Sequence, residues 1–276
     1  MGQTRRPSRR SCVFGFGSIR LCHRIYFDCR WRFHYQCIRH SMKNNKKIEV
    51  LAFCVTGTSV EWLEPVKDSL DLAVSPGGIF LDWTEFAISW RLRSQEILTE
   101  IAKKERSWLN MTEVNFLALK ELIPGSPLDE WDDLRLRNVN QAWSQLRPWP
   151  DTFQALRKLN QTYKTFAVSN CDDAMLATIT KNLQLPWENL ISAQKAQAYK
   201  PEEAFYKFVI SETGVTPDKI LFVSSSLSDL QGASLSSMKT AYIKRVEEFG
   251  YYENLNSINE EHDFEIDDLV QLANQL

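Results

Sequence analysis

The sequence predicts an α/β protein: a doubly wound parallel sheet with an inserted all-helical domain. Three observations carry this. Short apolar runs such as "IEVLAFCV" (48–55) and "KILFV" (219–223) are too continuous for half-exposed strands and suit strands buried on both faces. They alternate with capped helix patterns, as strand–helix–strand crossovers require. One long stretch, 83–146, carries helical patterns only.

In order, strand 48–55 runs into the turn "TGTS", and a helix follows over 61–74, ended by "SPGG". The inserted helices read "WTEFAISWRLRSQEILTEIAKKE", "MTEVNFLALKELI" and "LDEWDDLRLRNVNQAWSQL". "RPWPD" at 147–151 is a hinge-like proline cluster, followed by a helix with Asp151 or Thr152 as its cap. A strand over "YKTFAVSN", a helix over 172–183 and a short strand near "LISAQ" come next. "KPEEAFYKFVISETG" is a helix opened by Pro201 and closed by Gly214. Strand "KILFVSSS", helix "SDLQGASLSSM", strand "KTAYIKR" and a closing strand and helix in "FEIDDLVQLANQL" complete the chain.

The chain has 276 residues, 43% of them apolar and 25% charged. That is an ordinary globular composition. A net charge of −2 gives no reason to expect nucleic acid or membrane as a partner. Residues 1–41 differ sharply: nine Arg, no Lys, one acid (Asp28), four of six Cys and three of four His. The leader is thus near +8 and the rest near −10. Irregular cysteine spacing, with no Cys-x-x-Cys pair, speaks against a metal or disulfide knot. Two readings of the leader remain. One is an unstructured extension outside the working protein, which starts at Met42 and is cytoplasmic. The other is an Arg-rich mitochondrial presequence. No run is apolar enough for a transmembrane helix. Only Cys54 and Cys171 lie in the body, which suits a reducing compartment.

In doubly wound sheets, ligands bind outside the carboxyl ends of the strands. That rule selects Cys54–Thr58, Ser169–Asn170, the loop before Lys200, and Ser224–Asp229. Together they offer anion-binding donors, a lysine and a carboxylate.

Here the order of motifs resembles the haloacid dehalogenase superfamily, and within it the L-2-haloacid dehalogenases. "FCVTGTSV", "FAVSNCD", "AYKPEEAFY" and "ILFVSSSLSDLQGA" resemble its four core motifs. "SWRLRSQ" resembles a cap helix that brings an arginine over the site, and "LRPWPD" the return from cap to core. The likeness covers roughly residues 45–276. It implies a Rossmann-like core of 42–78 and 147–276 with a helical cap over 79–146. It also implies a small 2-halo or 2-hydroxy carboxylate as ligand, no cofactor, no metal and, by analogy alone, a homodimer.

In that family, the aspartate ending the first strand displaces halide, and water then hydrolyses the resulting ester. Carried over by motif, Thr58 would hold the nucleophile or the substrate carboxylate. Arg91 would meet carboxylate or halide from the cap, and Ser169 and Asn170 would hold the anion. Lys200 would neutralise the nucleophile. Tyr206, Ser224 and Asp229 would orient Lys200 and the attacking water. Two positions depart: the nucleophile is Cys54, and Ser226 stands where the family has asparagine. A thiolate attacking a 2-haloacid gives a thioether, which has no carbonyl for water to attack. Hydrolytic turnover is therefore expected to be absent or severely impaired. The alternatives are a catalytically inactive small-anion binder and a thiol-based sensor. Phosphatase chemistry is not expected. Thr56 replaces the second aspartate, sulfur suits magnesium poorly, and Val60 stands where a cysteine phosphatase needs arginine.

Structural explanations stand beside these roles. A cysteine ending a strand is by base rate a small buried hydrophobe. Lys200, Arg91 and Arg93 could be solvated helix charges, and Asp229 an acid favoured by a helix N-terminus. Trp83, Trp90, Trp108, Trp131 and Trp143 suit core and cap-interface packing.

Overall fold

A computed structural model describes residues 48–74, 82–249 and 261–276. The leader 1–41 and the predicted "SPGG" helix end lie outside the described residues. Six parallel strands form the central sheet, in the order β5-β4-β1-β6-β7-β8. These are β1 (Val50–Cys54), β4 (Lys164–Ser169), β5 (Asn189–Ser192), β6 (Ile220–Ser224), β7 (Lys239–Ile243) and β8 (Phe264–Ile266). Every residue of β1 and β6 is buried, as their unbroken apolar runs require.

The chain leaves β1 and builds β4 and β5 on one side, then crosses to β6, β7 and β8 on the other. Strand order reverses around β1, so the crevice at its carboxyl end is the ligand position of a doubly wound sheet. The fold class is as the apolar runs predict.

Helices α1 (Leu63–Val74), α2 (Thr84–Ala102), α3 (Met111–Leu122) and α4 (Asp133–Asn140) precede the return to the sheet. The last three make up the predicted insertion. Asn110 and Asp132 cap α3 and α4 by accepting from Glu113 N and Arg135 N. Arg147–Pro148 forms β3, pairing antiparallel with β2 (Val60–Glu61), a ribbon too short to show a strand pattern.

The insertion is fastened to the sheet by polar and aromatic contacts. Asp172 caps α6 (Asp173–Leu183) through Met175 N and also accepts from Thr112 N at 2.9 Å. Trp143 stacks on Trp62 at 5.6 Å and meets Trp90 edge-on at 5.4 Å. Trp83, Trp90 and Trp143 are buried and Trp108 and Trp131 half-buried, so the tryptophans do pack as core and interface.

Downstream lie α5 (Thr152–Leu159), α7 (Ala193–Ala196), α8 (Glu203–Thr213), α9 (Leu227–Leu235) and α10 (Leu269–Gln275). Asp151 stands at the start of α5 without capping it. Its carboxylate instead accepts from Arg245 at 2.9 Å and from Leu269 N at 2.6 Å. Gly214 ends α8 with φ of +68°, a left-handed position that glycine occupies without penalty. Among the described residues, no helix is long and apolar enough to cross a membrane.

Candidate functional site

Register brings the polar strand ends to one level. Cys54 lies opposite Val168 on β4, and Phe53 opposite Val223 on β6. Ser169 and Ser224 therefore flank Cys54 where the apolar runs stop. Above them opens a cavity of about 630 Å3, roofed by the insertion through Arg91, Met111 and Trp143.

Lys200 enters this floor from the loop between α7 and α8, with its side chain 4% exposed. Its ammonium donates to Cys54 Sγ at 3.0 Å and forms a close ion pair with Asp229 Oδ2. It is no surface charge. Asp229 lies in the first turn of α9, where the helix dipole favours a carboxylate, and also accepts from Ser224 Oγ at 3.3 Å. Asp229 is thus both a first-turn helix acid and the partner of Lys200.

Burial disfavours the Lys200 ammonium, but the Asp229 carboxylate more than offsets it, and the Lys200 pKa lies above its ordinary value. Burial also raises the Cys54 pKa above its ordinary 9.0, only partly opposed by Lys200. Cys54 is thus a thiol at neutral pH, aimed at the Thr56 carbonyl oxygen 3.7 Å away. Nearby Cys171 is pushed up to about 11, again mainly by burial.

The other expected residues divide into two groups. Ser169, Asn170 and Ser226 line the cavity with Arg91. Asn170 is largely engaged, since its Oδ1 accepts from Lys200 N at 2.9 Å and so positions the lysine's backbone. Ser226 caps α9 by accepting from Asp229 N at 3.4 Å. Thr58, Ser224 and Tyr206 are fully buried behind the cavity wall. The Tyr206 hydroxyl donates to the Asp229 carbonyl oxygen at 2.9 Å, so it holds the α9 backbone. A Cβ on Gly232 would fall 2.4 Å from the Tyr206 ring, which is why glycine stands there. Arg91 stacks over Trp62 at 4.9 Å, while Arg93 pairs on the insertion's surface with Glu96, Glu100 and Glu121.

Glu248 and Lys103 are charged lining residues that the motifs miss. Glu248 pairs with Arg91 at 3.5 Å and accepts from Ser225 Oγ at 2.9 Å. It follows β7, a fifth strand end, so the strand-end rule applied once more finds it.

A magnesium ion has no suitable ligand set here: Cys54 offers sulfur, and the Asp229 carboxylate is engaged by Lys200. Among the described residues, no group of three or more His, Cys, Asp or Glu side chains could hold a metal ion.

Comparison with known proteins agrees with this architecture. The chain is 34% identical over 107 residues to (S)-2-haloacid dehalogenase 4A of Burkholderia cepacia, covering 38% of this chain and 46% of that one. It is 26% identical over 210 residues to haloacetate dehalogenase H-2 of Moraxella sp. (strain B), covering 72% and 87%. The chain thus spans about half the length of the first relative and most of the second. Among solved structures, an L-2-haloacid dehalogenase from Xanthobacter autotrophicus with chloropropionic acid covalently bound superposes with a TM-score of 0.70. It has 25% identity and covers 82% of this chain and 97% of that one. A defluorinating L-2-haloacid dehalogenase gives a TM-score of 0.79 at 24% identity, covering 83% and 95%, a likeness of fold. The model of the haloacid dehalogenase-like hydrolase family matches residues 75–236, beginning after Cys54. With more than half of the chain matched, this protein belongs to the haloacid dehalogenase-like hydrolases.

Proposed function

We propose that the cavity above Cys54 takes small 2-substituted carboxylates, and that hydrolytic dehalogenation is absent or severely impaired. On this reading residues 79–146 act as a cap over the core. A 2-haloacid then alkylates Cys54 once. The observation that carries this is the Cys54 thiol, set at the end of the central strand 3.0 Å from the Lys200 ammonium. In the displacement, sulfur bonds to C2, halide leaves with the bond pair, and the thiol proton passes to solvent. The product is a thioether. Without an acyl carbon, water has no centre to attack, and the sulfur stays capped.

The raised pKa and burial of Cys54 favour a slow, binding-dominated site over a thiol sensor, whose cysteine needs exposure and a lowered pKa. A homodimer and a cytoplasmic location, both expected at the level of sequence, belong to the same reading. Peptide-mapped mass after incubation with 2-chloropropionate tests the reading. One 1-carboxyethyl group on Cys54 is expected. Sustained halide release with unmodified Cys54 would overturn it.

A further inference from the structure

Glu248 has no part in the chemistry above, yet its carboxylate lies inside the same cavity. Three observations define its position. It pairs with Arg91, the cation that a substrate carboxylate would seek, at 3.5 Å. It rests on the bare backbone of Gly57: a Cβ there would sit 2.1 Å from Glu248 Oε1. And it ends an ordered hydroxyl chain. Ser225 N donates to Thr58 Oγ1 at 2.9 Å, Thr58 Oγ1 lies 3.1 Å from Ser225 Oγ, and Ser225 Oγ donates to Glu248 Oε2 at 2.9 Å. The Thr58 donor is thereby relayed to Glu248.

The segment carrying Glu248 is anchored on both sides. Arg245 donates to the Thr58 carbonyl oxygen at 3.0 Å and pairs with Asp151 at 2.9 Å. Phe249 packs edge-on to Trp62 at 5.5 Å. The Glu248 side chain is 11% exposed, so little water screens its charge.

We propose that Glu248 is an internal carboxylate occupying the Arg91 anion subsite, and that it slows the entry of the carboxylate ligands the pocket accepts relative to neutral ligands of the same shape. An incoming carboxylate must displace Glu248 from Arg91 or sit beside it. Placing like charges together in a poorly hydrated site is a repulsive specificity element. A neutral ligand of the same shape meets no such opposition.

The proposal rests on the reading that ligands reach Cys54 through this cavity. Two alkylating reagents of nearly equal size test both. Iodoacetate carries a carboxylate and iodoacetamide a neutral amide; each bonds carbon to the Cys54 sulfur and releases iodide. The ratio of their rates at Cys54, followed by peptide mapping of the full chain, is compared with the same ratio in Glu248→Gln. The iodoacetate-to-iodoacetamide ratio is expected to rise at least about tenfold in Glu248→Gln. Adding Arg91→Met to that variant should remove the gain. If both reagents label Cys54 and the ratio does not change, the proposal is overturned while the cavity reading stands. If both rates rise together, Glu248 is a steric block, and charge selection is likewise overturned. Labelling of Cys54 by neither reagent in either protein overturns the cavity reading and, with it, the proposal.

Discussion

Two ion pairs line one cavity and are built differently. On the core side, Lys200 and Asp229 are 4% and 11% exposed and in close contact, with Cys54, Ser224 and the α9 N-terminus around them. On the cap side, Arg91 and Glu248 are 16% and 11% exposed and stand 3.5 Å apart, joining α2 to the loop after β7. The first pair is held by strand ends and a helix start. The second crosses from the insertion to a loop, and Arg91 also stacks on the Trp62 ring. The core pair belongs to the scaffold; the cap pair is adjustable and better suited to setting selectivity.

The largest expected effect comes from the sulfur that the core pair faces. Cys54→Asp supplies a carboxylate whose ester water can hydrolyse, so steady halide release from 2-chloropropionate should appear where the unmodified chain gives none. Silence in a folded, substrate-binding variant would mean that the site lacks more than its nucleophile.

Next comes stability. Asp229→Ala strands the Lys200 ammonium in a dry floor and should cost about 3–5 kcal/mol in urea unfolding. Glu248→Gln keeps a neutral acceptor beside Arg91, which still stacks on the Trp62 ring, and should cost less than Asp229→Ala. Equal losses would erase the distinction between the pairs.

Cys54 supplies a kinetic test with a definite sign. Its pKa lies above 9.0, so the thiolate fraction should still be climbing at pH 9. The rate of iodoacetamide labelling at Cys54 should therefore show no plateau up to that pH. A plateau below pH 8 would mean that Lys200 outweighs burial.

The smallest effect belongs to Glu248. Burial raises its folded pKa above the ordinary 4.5, with Arg91 and Ser225 opposing and Asp229 adding to the rise. A carboxyl group with a raised folded pKa favours the folded state while protonated, and that contribution is lost as pH rises through the folded value. The stability of the unmodified chain relative to Glu248→Gln should decline from pH 4.5 upward. A relative increase would contradict the burial account.

The core pair and its surroundings were legible in the sequence because they hang on regular elements. Apolar runs locate β1, β4 and β6. Their polar ends locate Cys54, Ser169 and Ser224, and Lys200 and Asp229 follow from motif spacing. The β2–β3 ribbon was hidden because two-residue strands carry no periodicity. Asp151 does stand at the start of α5, but its carboxylate turns to Arg245, a partner 94 residues away that no local pattern reveals. Thr58, Ser224 and Tyr206 were assigned to the right neighbourhood but lie behind the wall. Spacing reports which side chains are near, not which way they point. Glu248 escaped because "KRVEEFG" offers two adjacent glutamates and no motif, although it lies in the loop that follows a strand end.

The central claim is that Cys54 lets this fold accept a 2-haloacid and prevents it from finishing the reaction. Counting halide released from excess 2-chloropropionate against the amount of protein, over a prolonged incubation, tests it most directly. The account predicts a total that levels off at or below one halide per chain, with Cys54 alkylated in proportion. Halide accumulating to many times the protein concentration would contradict it.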